Sequence, residues 1–164
     1  MNTPPALSES SIWSDIMLAR LPFISDDQNF WLLWLRVFIG ICFFVHGLGK
    51  LGLVGPKHQG GNLNAFAGWL KSLGLPFPHL QARAAMASEL VGGLLIATGF
   101  GMRIGAVACL GTMLVAMLLG HKGGGYLITN DPPGAEYTIN LAAILIALIA
   151  LGPGTYSVDF QFLK

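Results

Sequence analysis

Apolar residues dominate four stretches of this chain, and each is bounded by glycine, proline or charge. Phe30–Leu53, Arg83–Gly99, Ile104–Gly120 and Glu136–Gly152 are each close to the ~20 residues needed to cross a ~30 Å hydrocarbon layer. The first carries Arg36, His46 and Lys50. At 100° per residue Lys50 falls about 40° from Arg36 and His46 about 80°, so the three share one helix face. Such a stripe belongs on a helix turned towards protein, because lipid solvates none of these groups.

Between the first two stretches the pattern changes. Gly55-Pro56 opens a long loop to Gln81. Within it Asn62–Leu73 places Phe66, Trp69, Leu70 and Leu73 at i, i+3, i+4 and i+7, which predicts a one-sided amphipathic helix. Its tryptophan suits the headgroup boundary. Ser88, Gly92 and Gly93 put small residues at helical spacing, inviting close approach of a neighbouring backbone. GFGMR at 99–103 permits only a tight hairpin, so the second and third stretches run antiparallel. The prediction is an all-α, integral membrane four-helix bundle running up-down-up-down, with a short amphipathic interfacial helix. Residues 1–29 form an N-terminal tail in which Ser8–Arg20 is capped and amphipathic enough to lie in the interface. They lack the basic start, apolar core and cleavage site of a signal peptide. Residues 30–164 form the transmembrane domain.

Composition agrees. Of 164 residues 54% are hydrophobic and 10% charged, far below the quarter typical of soluble domains. A net charge of +1 argues against nucleic acid as a partner. Cys42 and Cys109 fall in different spans at different depths, which predicts buried thiols and neither a disulfide nor a redox dithiol. Lys and Arg are balanced between the side where the first span begins (Arg20, Arg36, Arg103, Lys164) and the far side (Lys50, Lys57, Lys71, Arg83, Lys122). The positive-inside bias therefore leaves orientation open.

Threading the spans from common end planes at 1.5 Å per residue puts Arg36 about 8 Å from the near side, and His46 and Lys50 about 22 and 28 Å in. Glu89 comes out about 20 Å in, level with His46 and about two turns from Lys50. His121 and Glu136 are delivered to the far side, with Asn140 one turn inside on the face of Glu136. His46, Lys50, Glu89, His121 and Glu136 are therefore the candidate polar site, with Arg36 and Asn140 in support. An unpaired carboxylate at that depth costs several kcal/mol, so Glu89 is either protonated or paired, with His46 nearest by depth and Lys50 within reach of its stem. The same residues also admit a bland reading, as a structural ion pair, a helix-dipole acid at Glu136 and snorkelling at Lys50 and His121. No His-x-x-x-His or Glu-x-x-His spacing occurs, so no metal centre is expected. Axial ligation of haem or chlorophyll by His46 or His121 is geometrically allowed and has no further support.

Taken in order, His46-Gly47-x-x-Lys50, Phe66-x-x-x-Leu70-x-x-x-Gly74-x-Pro76, Glu89-x-x-Gly92-Gly93 with Gly99 and Arg103, and Gly152-Pro153-Gly154-x-x-Ser157-x-Asp159 resemble the DoxX family. These are small bacterial and archaeal membrane proteins. The likeness covers about Leu35–Phe160. It implies four spans with inward polar residues, a prokaryotic plasma membrane, and a respiratory or redox context linked to quinones. By family analogy both termini lie in the cytoplasm. Two functions follow as expectations. In one, the polar cluster is a quinone or quinol site: Lys50, His46 and Glu89 supply hydrogen bonds and protons, and a partner subunit supplies electrons, since no intrinsic cofactor motif is visible. In the other, the chain is a non-catalytic accessory subunit that stabilises a larger respiratory or photosynthetic assembly through helix packing and lipid or pigment contacts. A transporter is disfavoured by the lack of an inverted repeat or a broken mid-depth helix.

Overall fold

A computed structural model describes residues 27–162, and among these every regular element is helical. The interfacial helix expected at Ser8–Arg20 lies outside the described residues. The elements are α1 (Gln28–Lys50), α2 (Asn62–Ser72), α3 (Pro78–Thr98), α4 (Met102–Val115, continued by a π-helical turn at Ala116–Gly120), α5 (Glu136–Leu151) and the short α6 (Val158–Phe162). Three helices, α1, α3 and α4 with its π turn, are long and apolar enough to cross a membrane; α5 is a shorter apolar helix of 16 residues. Together they make the four-helix membrane bundle expected from the pattern. Phe38, Ile41, Val91, Leu94, Ile104, Val107 and Ile146 stand exposed on its outside, where lipid replaces water.

Local chemistry sets the boundaries. The Asp27 side chain caps α1 by accepting the Asn29 amide at 2.9 Å. Pro78 opens α3, where its missing N–H costs nothing. Gly99 (φ 72°) and Gly101 (φ 54°) supply the left-handed turn that folds α4 back beside α3, the hairpin foreseen at 99–103.

Glycine contacts fix how the helices mesh. A Cβ on Gly93 would lie 2.7 Å from Gly40 O and Phe44 N, and one on Gly92 would lie 2.9 Å from Gly105 O. Backbones therefore touch at the α1–α3 and α3–α4 seams, which is how helices gain packing energy in lipid. The α1 and α5 backbones stand further apart and meet through long side chains. The core runs the length of the bundle, with Phe43, Ile96, Met102, Cys109, Leu145 and Leu148 fully enclosed.

The same contacts show that the helices do not share end planes. Gly40 lies against Gly93 and Ala97, and Gly47 against Leu90. Beyond that level α1 continues only to Lys50, whereas α3 continues back to Pro78, so α3 overhangs α1 by about 13 Å on the far side. Helix α2 fills the resulting notch. Its Ala67 and Leu70 bury against Ala82 of the overhang, with Leu63, Phe66 and Leu75 around them.

Candidate functional site

Lys50 and Glu89 meet directly. Nζ donates to both carboxylate oxygens of Glu89, at 2.8 and 2.6 Å. The carboxylate side chain is 3% exposed and the lysine 17%, so the pair sits inside the bundle with little water. The stagger corrects the depths read from the sequence. Glu89 is about 3 Å, roughly half a turn, from Lys50 along the axis rather than about two turns, because Gly47 and Leu90 share a level. Lys50, not the level-matched His46, is the carboxylate's ion-pair partner. The Lys50 ammonium also lies 4.8 Å from the centre of the Phe66 ring on α2, a cation–π contact that seats it from above.

His46 turns to the α1–α5 seam. The Tyr137 hydroxyl is 2.8 Å from His46 Nε2 and 3.1 Å from Cys42 Sγ, forming a polar bridge in the wider gap between these two helices. Both cysteines are free, with Cys109 buried and Cys42 half-buried at this seam. Ser88 and Thr112 share a 2.6 Å hydrogen bond between α3 and α4.

These groups border a cavity of about 460 Å³ in the far half of the bundle. Ala84, Ala85 and Ser88 of α3 and Gly111, Thr112 and Ala116 of α4 form its long walls, and Trp69, Leu70 and Leu73 of α2 roof it. Lys50, Glu89, His46, Tyr137 and His121 join Ser88, Thr112, Gln81 and Thr138 as its polar lining. The π turn lies on this wall. Trp69 packs onto its Gly120, where a Cβ would come within 2.9 Å of the indole. π turns recur where a helix is re-aimed at a functional surface.

The other candidates divide. His121 lines the cavity but is tethered, its Nδ1 lying 3.0 Å from the Pro133 carbonyl oxygen. Glu136 is not brought to the cluster. It turns to the preceding loop and accepts the Ile128 amide at 3.2 Å. Asn140 is exposed and does not line the cavity, so it does not extend the network. Arg36 lies at the opposite end, 1% exposed, and donates to the carbonyls of Pro153 (2.6 Å) and Tyr156. Tyr137, Thr112 and the Phe66–Trp69 pair were missed as site residues. A hydroxyl in the first turn of α5 beside Glu136 was the available signal for Tyr137. Among the described residues, no three His, Cys, Asp or Glu gather in a metal-binding group.

The DoxX family model matches residues 31–122, which is α1 through the end of α4 and more than half of the chain. The chain belongs to the DoxX family. Every polar side chain lining the cavity except Tyr137 and Thr138 lies inside the DoxX match, whereas the 152–159 segment that holds Arg36 extends past it. No curated protein and no solved structure matches the chain.

Proposed function

We propose that this chain is a multi-pass subunit of a quinone-linked redox assembly in the prokaryotic plasma membrane, with both termini in the cytoplasm. In this reading the far-half cavity takes a quinone-type headgroup. The observation that carries it is a cavity of about 460 Å³, within the usual size of small-molecule sites, with apolar walls and a buried ion pair at one end. A quinone presents two carbonyl oxygens across a flat apolar ring. The Lys50 ammonium and the Tyr137 hydroxyl both line the cavity and can donate, and alanine and glycine of α3 and α4 keep bulky side chains off its walls. An isoprenoid tail would leave through the α1–α5 seam, where few backbone atoms come close.

In this reading Glu89 has two tasks. It keeps Lys50 charged and aimed in a dry setting, and it takes or gives the proton that accompanies electron transfer at the headgroup. Electrons come from a partner subunit.

The test is titration of a short-chain quinone analogue into purified protein, followed by tryptophan quenching at Trp69. Wild type should saturate; Glu89→Gln leaves the Lys50 ammonium without its carboxylate and should lower the unfolding midpoint, and the folded variant should bind about tenfold more weakly, a loss of about 1.4 kcal/mol in affinity. Identical titrations would overturn the reading. A chain that binds no analogue yet co-purifies from native membranes with a larger complex would instead be the accessory subunit.

A further inference from the structure

A second cavity of about 580 Å³ lies on the other side of the Lys50 head. Val45, His46 and Gly49 of α1 form one wall, and Asn62, Ala65 and Phe66 of α2 form the other. Its outer rim is Gly55, Pro56 and His58, all exposed residues of the loop outside the membrane. Asn62 holds that rim in shape. Its Nδ2 donates to Gly49 O (2.8 Å) and Pro56 O (2.9 Å), while its Oδ1 accepts the His58 amide at 2.9 Å. The two cavities share four wall residues, His46, Lys50, Phe66 and Trp69. Lys50 thus stands in the wall common to both cavities, while its partner Glu89 lines the inner one alone.

We propose that this outer chamber is the water and proton entry to the Lys50–Glu89 pair, and that the Phe66 ring is the partition that keeps bulk water out of the inner cavity. The inference rests on the headgroup reading only for what is done with the proton; the entry path itself rests on the two chambers and their shared wall. Protons arriving from the loop meet His58 at the rim, then His46 and Lys50 on α1. Glu89 on α3 faces the same partition, with Tyr137 of α5 behind His46 and His121 at the end of α4 across the inner cavity. A proton crossing from chamber to headgroup would therefore pass between Lys50 and Glu89, whose exchange of one hydrogen bond needs no movement of the backbone. The stacked Phe66 and Trp69 rings, 5.7 Å apart, stand in the same shared wall and add apolar carbon to it.

Thiol labelling in vesicles tests it. In a Cys42→Ala, Cys109→Ala background, Ala65→Cys reports the outer chamber and Ala85→Cys the inner one. A charged, membrane-impermeant maleimide should label Ala65→Cys at least about tenfold faster, since reactivity follows the exposed thiolate. Adding Phe66→Ala should raise Ala85→Cys labelling about tenfold with Ala65→Cys unchanged. Equal rates at the two positions with Phe66 in place, or no labelling of Ala65→Cys from either side of the vesicle, would overturn the proposal. The headgroup reading is scored separately. If the quinone analogue fails to bind while Ala65→Cys labels and Phe66→Ala opens the inner cavity, the site assignment falls and the entry path stands. If the analogue binds, its affinity should follow the pH of the compartment that labels Ala65→Cys; dependence on the other compartment would also overturn the path.

Discussion

Each end of the bundle buries a cation from α1, and the two are treated in opposite ways. At the near end Arg36 is 1% exposed and is held by main-chain carbonyls of the segment after α5. Gly99, the α3 cap, leaves room for its guanidinium, and Gly154 lets the tail lie against Leu32 and Asn29. Thr155 donates its amide to Asn29 Oδ1 at 3.1 Å, and the Tyr156 hydroxyl donates to Asp27 at 2.8 Å. The cation here clasps the loop after α5 to α1. At the far end Lys50 meets a side-chain carboxylate and has a chamber on each face. A fixed carbonyl cradle can only hold a charge, whereas an ion pair flanked by open volume can exchange a proton and admit a ligand. Burial of a charge alone therefore does not mark a site; the empty space beside it does.

The contrast can be broken from either end. The largest effect on stability is expected at the clasp. Arg36→Ala removes two charge-assisted hydrogen bonds and leaves carbonyls unpaired, costing about 3 kcal/mol of thermal stability in detergent, with analogue binding within about twofold of wild type. A variant that lost binding and kept its melting temperature would reverse the roles assigned to the two ends. At the far end, a Lys50→Met, Glu89→Leu double variant should unfold near the wild-type temperature, because apolar groups replacing both members of a buried pair often cost little, while its analogue affinity falls at least about tenfold. Survival of affinity in that variant would make the pair structural. Smaller still, Tyr137→Phe should weaken binding about threefold, the value of one net hydrogen bond near 0.7 kcal/mol; no change would remove the hydroxyl from the site.

The smallest effect is electrostatic and belongs to the clasp. The Tyr156 hydroxyl, with the Asn29 amide, holds Asp27 below its ordinary carboxylate value of 3.8. A lowered acid stabilises the fold at pH above that value and loses the contribution as pH falls through the lower folded-state value. Tyr156 is held above its ordinary 10.0 by the same contact, so its share is present below pH 10 and lost as pH rises beyond it. The melting temperature should therefore dip slightly at both extremes. Asp27→Asn should flatten both dips, and unfolding followed from pH 3 to 11 reads this directly.

Much of this was legible from residue order. Alternation of apolar runs with glycine and proline located the spans and the amphipathic helix over the first loop to within a few residues. Arg36, Lys50 and Glu89 announced themselves because each is costly in an apolar span. Relative depth was not legible. Counting from helix ends presumes common planes, while the true offset is set where Gly40, Gly47 and Gly93 let backbones touch, a property of three-dimensional meshing. Glu136 and Asn140 misled for a related reason: helical phase shows that they share a face but not whether that face turns towards the bundle. Tyr137 looked like an ordinary boundary aromatic, and only the gap between α1 and α5 turns its hydroxyl onto His46.

The offset between α1 and α3 has one more result. Because α3 reaches about 13 Å past the end of α1 and α2 sits in that step, the pocketed half belongs to one leaflet while the clasped half seals the other. Under the headgroup reading, an amphiphile drawn sideways from that leaflet would arrive head first at Lys50 without having to flip.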